Sequence, residues 1–302
     1  MAVTASMVKE LRERTGAGMM DCKKALVDNN EDMEKAIEFL REKGLAKAAK
    51  KAGRIAAEGL VAAYVSEDNK LASIVEVNSE TDFVAKNETF RTYVADVASQ
   101  AANTEATEIE GFLNDKWLKD DSKTVKEVLT EQIAVIGENM NIRRFEKVVA
   151  DGSFVTSYIH GGGKIGVLVE MNGEANEASL ECAKNIAMQV AAVTPKYISR
   201  DEVDADYIEK EKEILKQQAK NENPDKPDNI IEKMIIGRVN KMLKEICLLD
   251  QPYVKDGDLT VGKYIASVSK ELSVKRFVRF ETGEGLEKKE ENFAEEVAKQ
   301  MQ

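Results

Sequence analysis

The sequence predicts an α+β protein with two related lobes, each a small antiparallel sheet with helices on one side. The first observation is an internal repeat, because Tyr64 and Tyr158, like Glu76 and Glu170, are 94 positions apart within matching strand–turn–strand patterns. The second is that an alanine-rich segment with helical spacing follows each copy. Helical periodicity before, within and after the lobes adds an N-terminal three-helix module, an inserted helical hairpin and a C-terminal helix.

The N-terminal module and its linker are predicted at residues 1–54. Thr4 and Ser6 are candidate N-caps of a first helix, and the glycines within 15–18 separate it from a second. Asp32 is placed to cap a third helix, which Gly44 is expected to end. The following residues, 46–57, are rich in lysine and predict a basic helical linker, either a solvated face or a partner contact.

Residues 55–150 and 151–282 are predicted to form the two lobes. In each, a hairpin and a helix are followed by a last strand, at 141–148 and 273–280, where basic and apolar residues alternate. The second lobe carries the helical hairpin at about 205–248, and residues 283–302 form a C-terminal helical module with a helix at 287–301. The pattern leaves open whether the hairpin contacts a partner protein or forms a homodimer.

Composition excludes several classes of protein. The net charge of −11 argues against stable nucleic-acid binding, although residues 1–54 are locally basic, with 12 Lys and Arg against 9 Asp and Glu. Three dispersed cysteines and the lack of a signal-peptide pattern predict reduced thiols in the cytoplasm. The absence of an apolar run near ~18 residues predicts no membrane span.

Catalytic and cofactor sites are also poorly supported. His160 is the one histidine, which leaves no histidine dyad and no histidine-rich metal site, so we expect no cofactor. Residues 161–166 match GxGxxG, but a strand follows instead of a helix, which favours a hairpin turn. Residues 257–263 nearly match a P-loop, but Tyr264 stands where a magnesium-binding Ser or Thr is needed, so we predict a turn before a helix instead. Carboxylate or lysine chemistry is not excluded by counting.

The segment Thr81-Asp82-Phe83-Val84, called here the TDFV segment, is the main candidate site. It follows a strand and precedes a helix, so an aspartate and a large aromatic lie on a connection where side chains can reach a partner. The second lobe has no Asp-Phe pair at the matching position, which indicates that the fold does not require it. The alternative is a capping box beginning at Ser79, with Phe83 packed under the helix start.

Several runs of sequence resemble one known family. Residues 7–26, 80–87 and 136–145, together with 158–161 and 165–169, closely resemble bacterial translation elongation factor Ts, and the resemblance extends from Met1 to the C-terminal helix. It implies a guanine-nucleotide exchange factor that binds elongation factor Tu and acts by binding rather than by catalysis. It also implies that the N-terminal module is ubiquitin-associated-like and docks on the GTPase domain, while the hairpin and the C-terminal helix add contacts.

The resemblance assigns roles to individual positions. The TDFV segment is implied to wedge against the GTPase and to help displace the magnesium of the nucleotide. Ile136, Gly137 and His160, with Lys23 in the N-terminal module, are further implied partner contacts; His160 and Lys23 are also typical of solvated residues. The stretch 108–126 departs from the expected family pattern by being longer and more charged.

Two other functions remain open from the residues alone. The N-terminal module and its basic linker also suit an RNA- or ubiquitin-type-associated binding module without exchange activity. A small enzyme using a carboxylate pair is the second alternative, but the sequence shows no clustered carboxylates to support it.

Overall fold

The computed structural model describes residues 3–287, and the helix predicted at 287–301 therefore lies outside the described residues apart from Glu287. The helices, in chain order, are α1 (Ala5–Thr15), α2 (Met19–Asp28), α3 (Met33–Lys51), α4 (Asp82–Ala85), α5 (Glu88–Asn103), α6 (Ile109–Asn114), α7 (Val125–Ile136), α8 (Glu177–Val193), α9 (Ala205–Glu222), α10 (Asp228–Ile246) and α11 (Val261–Val268). The strands are β1 (Glu58–Val65), β2 (Leu71–Ser79), β3 (Lys116–Trp117), β4 (Asp120–Thr124), β5 (Met140–Val149), β6 (Ser153–His160), β7 (Ile165–Asn172), β8 (Pro252–Tyr253), β9 (Asp256–Thr260) and β10 (Ser273–Glu281). The predicted α+β class is confirmed, while the domain boundaries stay predictions.

The three predicted N-terminal helices are confirmed as α1, α2 and α3. Thr4 caps α1 by accepting a hydrogen bond from the Met7 amide, and Asp32 caps α3 by accepting one from the Lys35 amide. The helices enclose a small core of apolar side chains, formed by Val8, Leu11, Cys22, Ala25, Leu26 and Ala36.

The prediction that Gly44 ends the third helix is wrong, because α3 continues to Lys51. Gly44 has another role there: a Cβ added at this position would lie 3.3 Å from the Cβ of Ala134 on α7. The missing side chain lets α3 lie close against α7. The predicted basic linker is correspondingly divided, since its first part belongs to α3 and residues 52–57 are not helical.

The repeat predicts the topology of both lobes correctly. In the first lobe the sheet order is β1-β2-β5, and in the second it is β10-β7-β6, with every neighbouring pair antiparallel. The helices α5 and α7 cover one face of the first sheet, around Phe90 and Ile142. The helices α8 and α11 cover the equivalent face of the second sheet, around Ile186 and Val169.

A second repeated unit was not predicted from the sequence. The short hairpin β3–β4 leads into α7, and the short hairpin β8–β9 leads into α11; Thr124 and Thr260 cap the two helices in the same way. The charged stretch 108–126 therefore contains α6 and a hairpin with a counterpart in the second lobe. Residues 257–263 run from β9 into α11, so the predicted helix start is confirmed but a strand, not a turn, precedes it.

The two sheets pack against each other through their remaining faces. Both sheets contribute apolar side chains to this interface, which comprises Val61, Ala72, Ile74, Val148, Val155, Leu168 and Phe280. Residues 161–163 form the predicted turn between β6 and β7. A Cβ at Gly163 would lie 2.6 Å from a Leu60 methyl, and one at Gly166 would lie 2.4 Å from a Val61 methyl. The GxGxxG pattern is thus explained by close approach of the lobes and not by phosphate binding.

A buried carboxylate, Glu76 on β2, connects the first lobe to the end of the described chain. It accepts hydrogen bonds from Arg144 Nε (2.6 Å), Arg143 Nη1 (3.1 Å), Asn78 Nδ2 (3.0 Å) and the Gly283 amide (2.8 Å). Burial alone would raise the pKa of Glu76, but these bonds outweigh it and lower the pKa below its usual value.

The predicted helical hairpin is confirmed as α9 and α10. The two helices and the segment near Cys247 share a small core. This core includes Ile231, Ile235, Val239 and Leu243. Within residues 3–287, no helix is long and apolar enough to cross a membrane.

Replacing the buried carboxylate should destabilise the protein. We expect Glu76→Gln to lower the free energy of unfolding by roughly 3 kcal/mol, because two guanidinium groups lose the buried carboxylate that they share. Urea unfolding measures the change, and Glu67→Gln, at an exposed carboxylate in the β1–β2 turn, is the matched control. Equal stability of the two variants would show that Glu76 does not anchor the lobe.

The loss of stability caused by Glu76→Gln should depend on pH. The unfolded pKa of a glutamate is about 4.3, and that of Glu76 is lowered in the folded protein. Its stabilising contribution is therefore present above the unfolded pKa and is lost as the pH falls through the folded pKa. We expect the stability difference between the parent protein and Glu76→Gln to be constant near neutral pH and to shrink below about pH 4. A difference that grows in acid would contradict this.

Candidate partner-binding site

The TDFV segment forms a single helical turn between two longer elements. Strand β2 ends at Ser79, α4 is one turn, and α5 begins at Glu88. Thr81 caps α4, with its Oγ1 accepting a 3.4 Å hydrogen bond from the Val84 amide. Asn87 then caps α5 by accepting a 2.9 Å bond from the Thr89 amide. The two successive caps give the segment a defined conformation.

Phe83 projects from this turn into solvent. Its side chain is 80% exposed, whereas the neighbouring Ala85 is buried and Val84 packs against the core of the first lobe. The alternative in which Phe83 packs under the helix start is therefore wrong. Thr81, not Ser79, supplies the cap. A large aromatic is thus displayed on an anchored turn.

Asp82 lies beside Phe83 and is ionised. Its carboxylate accepts a 2.6 Å hydrogen bond from Lys86 Nζ, which also lies 6.0 Å from the centre of the Phe83 ring. The Lys86 bond, helped by the charge of Lys164, holds the pKa of Asp82 below its usual value. The segment therefore presents a negative charge next to an aromatic ring at neutral pH.

The run containing Ile136 and Gly137 lies directly behind the TDFV segment. Helix α7 ends at Ile136, and Gly137 adopts a left-handed conformation with φ of 91°. The next residue, Glu138, accepts hydrogen bonds from the Thr81 amide (3.0 Å) and from Thr81 Oγ1 (2.7 Å). One carboxylate therefore holds the first residue of the segment at two points.

Glu138 was missed as a site residue in the sequence. It lies within the run 136–145, but its partner is 57 positions away, and no spacing in the sequence connects the two. Glu80 was missed for the same reason: its carboxylate accepts a hydrogen bond from the Asn139 amide and so ties the start of the segment to the same loop.

His160 lies at the end of β6, exposed, on a turn beside the first lobe. Its Nδ1 is 2.9 Å from the Tyr158 hydroxyl. Lys164, which ends this turn, pairs with Glu58 at 2.5 Å and also acts electrostatically on Asp82. The structure therefore brings the turn that follows His160 into the neighbourhood of the TDFV segment.

Lys23 occupies a different surface. It is exposed on α2, which packs against α1 and α3 in the N-terminal module. Met19 and Met20, one turn earlier, are 60% and 75% exposed. The candidate contacts are thus distributed over two surfaces, one on the module and one around the TDFV segment.

Other side-chain chemistry is limited in the part of the chain that the structure describes. Cys22, Cys182 and Cys247 are buried free thiols, and burial raises the pKa of each. Between Val3 and Glu287, no three His, Cys, Asp or Glu side chains lie close enough together to hold a metal ion.

The second lobe has no counterpart of α4. Only four residues separate the end of β7 from the start of α8, and Asn176 caps α8 directly. The sheet and the covering helix are therefore built without an Asp-Phe turn in one copy of the unit. The shared fold therefore does not require the turn found in the first lobe.

Comparisons with known proteins agree on one family. Residues 80–284 match the family model described as Elongation factor TS. Over 99% of both chains, the protein is 59% identical to Elongation factor Ts of Clostridioides difficile strain 630 and 57% identical to that of Clostridium novyi strain NT. It is 58% identical to Elongation factor Ts of Clostridium perfringens strain SM101 over 98% of both chains. On these matches, which cover the lobes, the hairpin and the TDFV segment, the chain belongs to the elongation factor Ts family.

Proposed function

We propose that this protein binds elongation factor Tu and promotes GDP release by inserting the TDFV segment beside the nucleotide, which displaces the bound magnesium. Membership of the elongation factor Ts family supports the role of a nucleotide exchange factor in translation. The observation that carries the mechanism is Phe83, 80% exposed on a turn whose first residue is held by Glu138.

The geometry suits a wedge. An aromatic ring buries a large area on binding and has few rotors to immobilise. Because Thr81 is already held by Glu138 and Asp82 by Lys86, little conformational entropy remains to be lost when the turn meets a partner. An exposed aromatic on a flexible loop would lose more on binding.

Displacing the metal gives the wedge its effect. A bound magnesium ion is among the largest local charges in a nucleotide site, so its loss weakens the hold on the phosphates. The ionised carboxylate of Asp82 stands beside the inserting ring, where it can redirect polar groups that hold the metal. Exchange by this route breaks and forms no covalent bond.

The energetics follow from differential binding. The factor must favour the empty GTPase over the loaded one, and the coupling is reciprocal between factor and nucleotide. A coupling of ~4–6 kcal/mol weakens the nucleotide ~10³- to 10⁴-fold. The exposed surface of α2, with Met19, Met20 and Lys23, provides a second contact that holds the factor in place while nucleotide leaves.

Removing the aromatic ring of Phe83 should slow nucleotide exchange without destabilising the fold. We expect Phe83→Ala to slow stimulated release of fluorescent GDP from elongation factor Tu by at least about tenfold, since an interface anchor of this kind contributes on the order of 2 kcal/mol. Thermal unfolding should not change, because the ring is exposed. Leu118→Ala, which truncates another exposed apolar side chain of the first lobe, is the control. Normal stimulation by the double variant Asp82→Ala, Phe83→Ala would refute the wedge.

Weakening the hydrogen bonds that hold Thr81 should also slow stimulated GDP release, although the Phe83 ring is retained. We expect Glu138→Gln to lower the stimulated release rate by roughly three- to tenfold, because the amide group cannot accept from both donors of Thr81. Glu105→Gln, at a carboxylate 97% exposed, keeps the charge change and should behave as the parent protein. If both variants stimulate release equally, Glu138 does not fix the turn for exchange.

A further inference from the structure

The loop of Gly137, Glu138 and Asn139, called here the brace loop, has a second side that the proposed mechanism does not use. That side contacts the end of α3. Lys51, the last residue of α3, donates a hydrogen bond from Nζ to the Gly137 carbonyl. A lysine at this point also faces the C-terminal end of α7, where a positive charge is favourable.

Arg54 makes the second connection. Its carbonyl accepts a 2.8 Å hydrogen bond from Asn139 Nδ2, and its guanidinium lies 3.4 Å and 3.5 Å from the two carboxylate oxygens of Glu80. Glu80 also accepts from the Asn139 amide. Arg54 therefore contacts both the brace loop and the residue that precedes Thr81.

The charged groups of this contact also affect the pKa of Lys51. Partial burial lowers the pKa of Lys51, as does the neighbouring charge of Arg54, while the carboxylates of Glu80 and Glu138 act in the opposite direction. The ammonium group is thus within electrostatic reach of both carboxylates that hold the start of the TDFV segment. The contact is not an isolated surface hydrogen bond.

Helix α3 is suited to carry a displacement to this point. It is continuous from Met33, in the N-terminal module, to Lys51 at the brace loop. Along the way Arg41 pairs with Glu127 of α7, and Gly44 lies against Ala134. A tilt of the module therefore moves the far end of the same helix, since the helix has no break at which to absorb it.

We propose that Lys51 and Arg54 are positioning residues that couple the N-terminal module to the TDFV segment, Lys51 through the brace loop and the side chain of Arg54 through Glu80. The inference rests on the proposed function, because the coupling matters when docking of the module and insertion of Phe83 occur on one partner. Binding of a partner to α2 shifts α3, the shift reaches Gly137 and Asn139, and Glu138 transmits it to Thr81. The module then sets where Phe83 is held as well as adding affinity.

Fluorine NMR of the protein alone tests the coupling without any GTPase. The chain has nine phenylalanines, so labelling with 4-fluorophenylalanine gives one signal per ring, and loss of a signal in Phe83→Leu assigns Phe83. We expect Lys51→Met and Arg54→Met to shift or broaden the Phe83 signal while those of the buried Phe112 and Phe154 stay unchanged. Lys51→Arg, which can still donate to the Gly137 carbonyl, should restore the parent signal.

The matched control is Lys50→Met, which removes one positive charge from the exposed face of α3 next to Lys51. It should leave the Phe83 signal in place. A Phe83 signal unchanged in both Lys51→Met and Arg54→Met, or moved equally by Lys50→Met, would overturn the proposal.

Exchange kinetics provide the second test. We expect Lys51→Met to lower the maximal stimulated GDP release by about three- to tenfold, with little change in the half-saturating concentration of the loaded GTPase. Because Lys51 acts through Phe83, the same substitution should have no further effect in the Phe83→Ala background. Additive losses in that background would refute the coupling.

The two tests separate this inference from the function on which it rests. If the parent protein fails to accelerate GDP release, the proposed function is wrong, and the fluorine spectra still decide whether Lys51 and Arg54 position Phe83. If the parent accelerates release and Phe83→Ala slows it, while Lys51→Met and Arg54→Met match the parent in both assays, the coupling alone is wrong.

Discussion

The buried carboxylate of Glu76 is the interaction on which the arrangement of the lobes depends. A charged group with no solvent contact is unfavourable unless its lone pairs are satisfied, and here two arginines, an amide side chain and a backbone amide satisfy them. The donors come from β2, β5 and the turn after β10, so burying the charge requires all three segments to be in place. Arg144 also stacks over Phe280 of the second sheet, at 4.3 Å from the ring centre. The buried charge of Glu76 thus requires the fold that places its donors, and the fold is stabilised by the hydrogen bonds to that charge.

The repeat of this arrangement in the second lobe is partial. Glu170, which matches Glu76, accepts a 2.6 Å hydrogen bond from Ser153 and pairs with Lys275 at 2.8 Å. Both lobes therefore place a carboxylate at the same point of the central strand, but only the first uses it to bind two arginines and the Gly283 amide. Through Glu76 the first lobe is therefore bound to the turn that follows β10 of the second lobe, and it is also the lobe that carries the TDFV segment. A rigid base lets an exposed aromatic keep a defined position.

Local patterns in the sequence predicted the elements well, and contacts distant in sequence explain the failures. The hairpin strands of both sheets followed from a pattern repeated at an offset of 94 positions, and the last strand of each followed from alternating basic and apolar residues. Thr4 and Asp32 cap their helices as their residue types predict. The sequence predicts a helix end at Gly44 because glycine commonly stops a helix, whereas its small size here permits a close contact with Ala134. Glu138 was not recognised because its partner is 57 positions away. The pairs β3–β4 and β8–β9 were missed because strands this short leave little periodicity to detect.

The absence of α4 from the second lobe gives the molecule an internal standard. The two lobes have the same order of shared strands and helices. A residue present at matched positions in both therefore serves the architecture that they share. A residue found in one lobe alone can serve another purpose, because the other lobe shows that the shared frame is built without it. Comparison of the two lobes within one chain therefore separates the features that the shared architecture requires from those that a single lobe carries.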